Sequence, residues 1–256
     1  MTVSEDHLVR IERDADVVVI TLDRPTRRNA MNAALASATC AAIESAQDAR
    51  AIVLTGAGPA FCAGLDLRDP GVERITDIPP FIATTAASQV PVIAAVNGPA
   101  VAGGLELALA CDFIVASERA RFADTHLRVG VYPGPVAVQL PRRVGPAWAR
   151  EMSLTGNFID AATALRIGLV NHVVPPAELL DVAGSLAVAI ADQDPAMVAA
   201  LRQDWRENDG LPADEALEQH YEHAARGGFH GAAASTITER RDQVLRRSHA
   251  DDLRTR

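Results

Sequence analysis

Val96-Asn97-Gly98-Pro99-Ala100-Val101-Ala102-Gly103-Gly104-Leu105-Glu106-Leu107-Ala108-Leu109-Ala110-Cys111-Asp112 is the stretch that decides the fold. It falls in the most apolar part of the chain, Val90 to Cys111, where a membrane span would be sought first. Pro91, Asn97, Gly98, Pro99, Gly103, Gly104 and Glu106 break that part up, whereas a span needs about 20 predominantly apolar residues in a row. The stretch therefore belongs in a globular core. Val92–Val96 reads as a buried strand, Asn97-Gly98-Pro99 turns the chain, and the residues after Gly103 read as a helix through Cys111. One carboxylate, Glu106, lies among leucines and alanines. Burial disfavours its charged form, so it needs a raised pKa or a partner. A structural glutamate bonded to backbone is the plainer role, but acids are seldom kept in such company without a use. Gly103-Gly104 opens the helix, and a helix start presents N–H groups able to hold an anion or oxyanion. Alone the pair is a weak signal, because paired glycines more often mark close packing.

Working outward, Leu8–Arg13 and Val17–Leu22 are rich in β-branched residues and are joined by Asp14-Ala15-Asp16, which predicts a hairpin. The polar, basic loop Asp23–Asn29 follows. Asn32 is a natural N-cap for a helix carrying Leu35, Ala38, Ala42, Ile43 and Ala46 at helical spacing. Ala51–Thr55 and Phe113–Ala116 are further buried strands, so strands alternate with helices in an α/β core. Beyond about Pro175 only helices are expected, over Leu179–Ile190, Ala196–Glu207, Ala213–Ala225 and Ala232–Arg247. The division drawn from this change of class is a core over residues 1–190 and a helical region over 191–256.

Composition narrows the chemistry. The chain has 256 residues, 48% of them apolar and 22% charged, in the ordinary range for a globular protein. Acids outnumber bases 33 to 24, giving a net charge of -9, which opposes binding to phosphate backbones and speaks against nucleic-acid partners. All the bases are arginine. Without lysine the chain can form no Schiff base and has no P-loop cation, so anions must be met by guanidinium or backbone N–H groups. Cys40, Cys62 and Cys111 are too far apart for a CxxC pair and too few for a disulfide framework. The acidic start Met1-Thr2-Val3-Ser4-Glu5-Asp6 lacks the features of a signal peptide. The expectation is a cytoplasmic protein, with no membrane partner.

Other candidates are local. Phe61-Cys62-Ala63-Gly64-Leu65-Asp66-Leu67 follows a buried strand, and its small residues would let a ligand approach the backbone. Asp66 is more simply a cap for the next turn, and Cys62, with no base beside it, is more simply packing. His126 is isolated in sequence, and an isolated histidine is usually a hydrogen-bonded structural residue. His220 and His223 share a helical face crowded with glutamates and read as solvated, with no metal site. GxSxG, GxGxxG and HExxH are all absent.

Three of these segments together resemble the crotonase superfamily, the enoyl-CoA hydratase/isomerase family. Ala51–Leu67 is similar to its first signature, Val96–Asp112 to its second, and Arg121-Phe122-Ala123 through Gly130-Val131-Tyr132-Pro133-Gly134 to its third. The likeness runs from Val17 to about Val174 and continues more loosely into the helical tail. It implies an α/β fold, a crotonase-type spiral of ββα repeats, with a C-terminal all-helical region driving homotrimers or homohexamers. It implies an acyl-CoA thioester as substrate and no separate cofactor. By motif position, Leu65 and Gly103 would supply the backbone N–H groups of an oxyanion hole. Ala63, Gly64, Leu65, Asp66 and Leu67 would bind the adenine end of CoA, and Arg24 and Arg28, or Arg27 in place of one, its phosphates. Glu106 matches the first of two glutamates of true hydratases. The second falls on His126, which could pair with Glu106 as acid and base or signal an isomerase, decarboxylase or thioester hydrolase. A CoA-ester binder without turnover is a further alternative. Tyr132-Pro133-Gly134-Pro135 departs from the family's glycine-rich continuation and puts bulk where an acyl tail would lie.

Overall fold

The computed structural model describes residues 8–68 and 78–228. β1 (Val9–Asp14) and β2 (Val17–Leu22) form the expected antiparallel hairpin, turned through Ala15 at a φ of 49°. α1 (Ala33–Ser45) starts where Asn32 was expected to cap it, the Asn32 side chain accepting from Leu35 N at 2.9 Å. β3 (Ala51–Gly56), α2 (Phe81–Ala86), β4 (Val92–Val96), β5 (Ala100–Val101) and α3 (Gly103–Leu109) come next. α3 ends two residues earlier than its sequence indicated. β6 (Phe113–Ser117), β7 (Arg121–Ala123), α4 (Val136–Val144), α5 (Pro146–Thr155), β8 (Ile159–Asp160), α6 (Ala161–Arg166), β9 (His172–Val174) and α7 (Leu179–Ala191) complete this part.

The main sheet has the order β1-β2-β3-β4-β6-β9 and is parallel throughout except for the hairpin. Every residue of β3 and β4 is buried, because parallel strands are covered on both faces and so read as continuous apolar runs. Alternate residues serve opposite faces. Val18, Ile20, Ile52, Leu54, Val92 and Ala94 join Leu35 and Ile43 of α1 and Leu105 of α3 in one core cluster. Val17, Ala51, Val53, Ile93, Ala95 and Val115 join Leu179, Ala183 and Ala187 of α7 in another. Each fully buried isoleucine or leucine contributes about 1.5–3 kcal/mol, before the entropy of ordering the chain is charged against it. A smaller sheet, β5-β7-β8, sends Ala100 and Phe122 into the first cluster. It thereby ties the loop before α3 to the segment that carries His126.

The chain divides into two compact units between Asp192 and Gln193. The second holds α8 (Pro195–Asn208), capped by the Asp194 side chain, and α9 (Ala213–Arg226). Here the structure adds a partner to His220, whose side chain stays 44% exposed. Its Nδ1 lies 2.6 Å from Oδ2 of Asp204, a buried residue, so the helix pair carries an internal acid contact. The helix expected over Ala232–Arg247 lies outside the described residues. Among the described residues no helix is long and apolar enough to cross a membrane.

Candidate active site

The segment 61–66 is laid as an extended ribbon between two others. On one side Phe61 N and Cys62 N donate to Pro99 O, and Val101 N donates to Cys62 O at 3.0 Å. On the other, Ala63 N donates to Arg28 O, Met31 N to Gly64 O at 2.7 Å, and Asp66 N to Met31 O at 2.8 Å. The buried side chain of Asn29 gathers the start of the ribbon, its Nδ2 donating to the carbonyls of Ala57, Ala60 and Phe61 while its Oδ1 accepts from Arg24 N. Asn29 follows Arg28 in a left-handed conformation, φ 53° and 52° respectively, a region asparagine tolerates better than most residues. Nothing in the sequence reading singled out Asn29. The adjacent positive-φ pair in a polar loop leaves no distinctive sequence signal.

In an extended chain successive N–H groups point to opposite sides. Gly64 O and Asp66 N face Met31, so Leu65 N faces away, toward the start of α3. Among the described residues no acceptor is recorded for Leu65 N or for Gly103 N. A Cβ built on Gly103 would stand 3.9 Å from Leu65 N and 3.7 Å from Gly64 Cα. A side chain there would enter the space both amides border. Gly104 is glycine for a different reason, since a Cβ would lie 2.0 Å from Cys62 O. The residue before them, Ala102, has φ 47° and ψ -115°, a costly backbone state for a residue with a Cβ. It is held by the bond from its N–H to Ala123 O and by Glu106 N donating to its carbonyl. Smaller and larger demands thus meet at three adjacent positions.

One turn into α3 stands Glu106, buried with 4% of its surface exposed. Its Oε1 accepts from Val136 N at 3.1 Å, at the start of α4. Its Oε2 lies 3.8 Å from Nε2 of His126. Desolvation raises the Glu106 pKa, opposed by the Val136 N–H and by the positive form of the imidazole. His126, also buried, turns its Nδ1 to Asp124 Oδ1 at 2.7 Å. That bond raises the His126 pKa, burial works against it, and the charge of Glu106 adds to the rise. Asp124 is pushed up by burial, but the hydrogen bonds from the His126 ring and backbone, with the nearby Ser153 side chain, outweigh this and leave it below its ordinary value. The structure therefore brings Glu106 and His126 together and adds Asp124, which the sequence showed only as part of a quoted motif.

These groups border a cavity of about 260 Å³ shared by Leu65, Gly103, Ile78, Phe81, Ile82 and Val131, with Tyr132 and Pro135 at its margin. Apart from the amides and the acid–base groups, its wall is largely apolar. Tyr132 is 88% exposed, so the bulk expected from its segment stands at the edge. Cys62 is buried and its thiol is pushed up to about 12, which leaves no thiolate at neutral pH. A second, polar cavity of about 460 Å³ is lined by Thr26, Arg27, Arg28, Ala30, Leu65, Asp66, Leu67 and Arg68. Arg24 does not line it. Its guanidinium bonds Asp66 Oδ2 at 2.5 Å and Ala30 O at 3.1 Å, and Asp66 also caps Arg68 N. Burial raises the Asp66 pKa, but Arg24, the Arg68 N–H and the charge of Arg27 together outweigh it and hold it low. Among the described residues no group of three His, Cys, Asp or Glu could hold a metal ion.

Residues 12–225 match the family described as Enoyl-CoA hydratase/isomerase. The chain belongs to the enoyl-CoA hydratase/isomerase family. Among its relatives, the enoyl-CoA hydratase EchA19 of Mycobacterium tuberculosis is 35% identical over 223 residues, covering 81% of this chain and 84% of that one. The crystal structure of an enoyl-CoA hydratase from Mycobacterium avium is 41% identical, with a TM-score of 0.72 over 88% of this chain and 98% of the other. That of an enoyl-CoA hydratase from Bacillus anthracis superposes with a TM-score of 0.82 at 28% identity, covering 91% and 96%. The mixed α/β architecture is thus the crotonase fold, as the three motifs implied.

Proposed function

We propose that the protein hydrates trans-2-enoyl-CoA thioesters. The observation that carries this reading is the meeting of Glu106 and His126, 3.8 Å apart, beside the paired amides of Leu65 and Gly103. In this reading the two N–H groups polarise the thioester carbonyl and stabilise the enolate that forms when water adds at Cβ. Glu106 serves as general acid and base, with His126 assisting, and Cα gains the proton. The backbone of Ala63–Leu67 meets the adenine end of CoA. Arg27, Arg28 and Arg68, which line the polar cavity, meet its phosphates, while Arg24 supports the loop through Asp66. The CoA thioester is the substrate and no further cofactor takes part.

A panel of 2-enoyl-, 3-enoyl- and malonyl-type CoA esters, read by mass spectrometry, tests the reaction. A hydratase yields from the 2-enoyl ester a product heavier by one water with the thioester intact. Shifted double bonds, lost carbon dioxide or free CoA would overturn hydration in favour of isomerase, decarboxylase or hydrolase. The imidazole at the second glutamate position is what favours those as the second reading. Binding without any product would leave a CoA-ester-binding protein.

The same reading makes the protein a cytoplasmic enzyme assembled as a homotrimer or homohexamer, with no nucleic-acid or membrane partner. Exposed Trp205, Leu217 and Tyr221 in the helical unit support self-association. Light scattering at a multiple of three chains is the expected result, and a monomer at all concentrations would remove this part.

A further inference from the structure

Asp124 has no assigned part in the reaction, yet its position relative to His126 is specific. Both residues follow the end of β7, and a single carboxylate oxygen, Oδ1, receives both the His126 backbone N–H at 3.3 Å and the ring Nδ1 at 2.7 Å. Main chain and ring are thus pinned by one atom. With Nδ1–H committed to Asp124, only Nε2 remains to face the cavity, where it stands 3.8 Å from Glu106 Oε2. Asp124 itself is 1% exposed and never reaches the cavity lining. We propose that Asp124 is a positioning residue that makes His126 the proton donor to Cα, as an imidazolium held between two carboxylates, and leaves Glu106 to activate water.

This inference rests on the hydratase reading and assigns the two halves of its proton traffic. Glu106 Oε2 takes a proton from water as the water oxygen bonds Cβ and the C=C π pair moves into the enolate. Nε2–H of His126 then gives its proton to Cα, the enolate pair forms the new C–H bond, and the carbonyl is restored. Glu106 is left protonated and His126 neutral. Transfer of the proton from Oε2 back to Nε2 resets the pair without an outside reagent. Two atoms 3.8 Å apart can both touch one water oxygen at an ordinary hydrogen-bond length of about 2.8 Å. With Nδ1–H held by Asp124, the neutral ring carries no hydrogen on Nε2, so donation to Cα requires the imidazolium. The bond to Asp124, with the charge of Glu106, favours that charged form against burial.

The groups facing His126 are few. Glu106 comes from α3 and Asp124 from the end of β7, and both favour the imidazolium. α5 packs on the turn that carries His126, but its Arg150 and Glu151 are exposed and do not figure among the groups that set the imidazole's charge. Tyr132 borders the same cavity from the far end of that turn.

The test compares the wild-type protein with Asp124→Asn, Asp124→Glu and His126→Gln. Histidine ring resonances are followed by 15N NMR across pH, with His126→Gln assigning the signal. In the wild type, Nδ1 carries the proton and the ring titrates above the usual histidine range. In Asp124→Asn that titration and the alkaline limb of kcat/KM for trans-2-butenoyl-CoA move together to lower pH by about one unit or more. At pH 8, kcat falls at least tenfold while KM changes less than threefold, and Asp124→Glu recovers part of the loss. An alkaline limb that stays in place while kcat drops would reduce Asp124 to a structural role. A wild-type ring titrating at or below the usual range overturns the proposal even if Asp124→Asn does not fold. If the wild type hydrates no enoyl-CoA, the hydratase reading fails, and the NMR titration still reports on the Asp124–His126 pair by itself.

Discussion

At the residue scale, the burial of Glu106 sets up an opposition between stability and activity. A carboxylate whose pKa is raised by folding binds protons more tightly in the native state. Its cost is therefore absent below the unfolded pKa and fully present above the folded one. Glu106→Gln should remove that cost while keeping an acceptor for Val136 N–H. The melting temperature is expected to rise at pH 8 and the gain to vanish as pH falls through the carboxylate range, as calorimetry would record. Turnover of a 2-enoyl-CoA should drop by about 10²- to 10⁴-fold, the range for loss of a general acid–base group. Undiminished turnover would take Glu106 out of the reaction. Asp66 behaves oppositely. Its pKa is depressed in the folded state, so its contribution is present above the unfolded value and is lost as pH falls through the folded one. Asp66→Asn, which strands the mostly buried Arg24 guanidinium, should cost about 3 kcal/mol at pH 7 and make the acid limb of the stability curve shallower.

At the scale of elements, the site depends on how closely the ribbon 61–66 and the start of α3 approach. Gly104→Ala places a methyl group 2.0 Å from a backbone oxygen of that ribbon, and backbone cannot give way as a flexible side chain can. Overpacking of this kind costs about 1–3 kcal/mol or more. Denaturant unfolding should show that loss, accompanied by weakened CoA-ester binding. Wild-type stability and binding in this variant would contradict the close approach. The buried strands β2, β3, β4 and β6 were legible because continuous β-branched runs between turn residues have few other readings. α2, α6, β7, β8 and β9 were not anticipated, each having six residues or fewer. Such short pieces carry barely one period of pattern and are held by neighbours rather than by propensity. α4 contains Pro141 and follows Pro133 and Pro135, which hide a helix from any reading by breakers.

At the scale of the whole molecule, the chemistry of the site was more legible than its support. Glu106 and the glycines before α3 stood out because a lone acid in apolar sequence is a physical anomaly wherever it occurs. Asp124, Asn29 and Val136 N–H did not, since each acts through a partner 2 to 32 residues away and polar residues in loops are commonplace. Arg24 was anticipated as a phosphate cation, and its guanidinium is joined to Asp66. Only the fold tells a cation facing ligand from one holding a loop. The lysine-free composition gives a further expectation. Borohydride trapping with carbonyl substrates should leave no covalent adduct on a side chain, because no side-chain primary amine exists to form an imine. A mass-shifted tryptic peptide from the interior of the chain would disprove it.

The amides of Leu65 and Gly103 have a consequence for descent. Every substitution except proline leaves these N–H groups in place, whereas any exchange of Glu106 or His126 removes the group itself. On the proposed function, the side chains around the thioester can therefore change while both amide donors are kept.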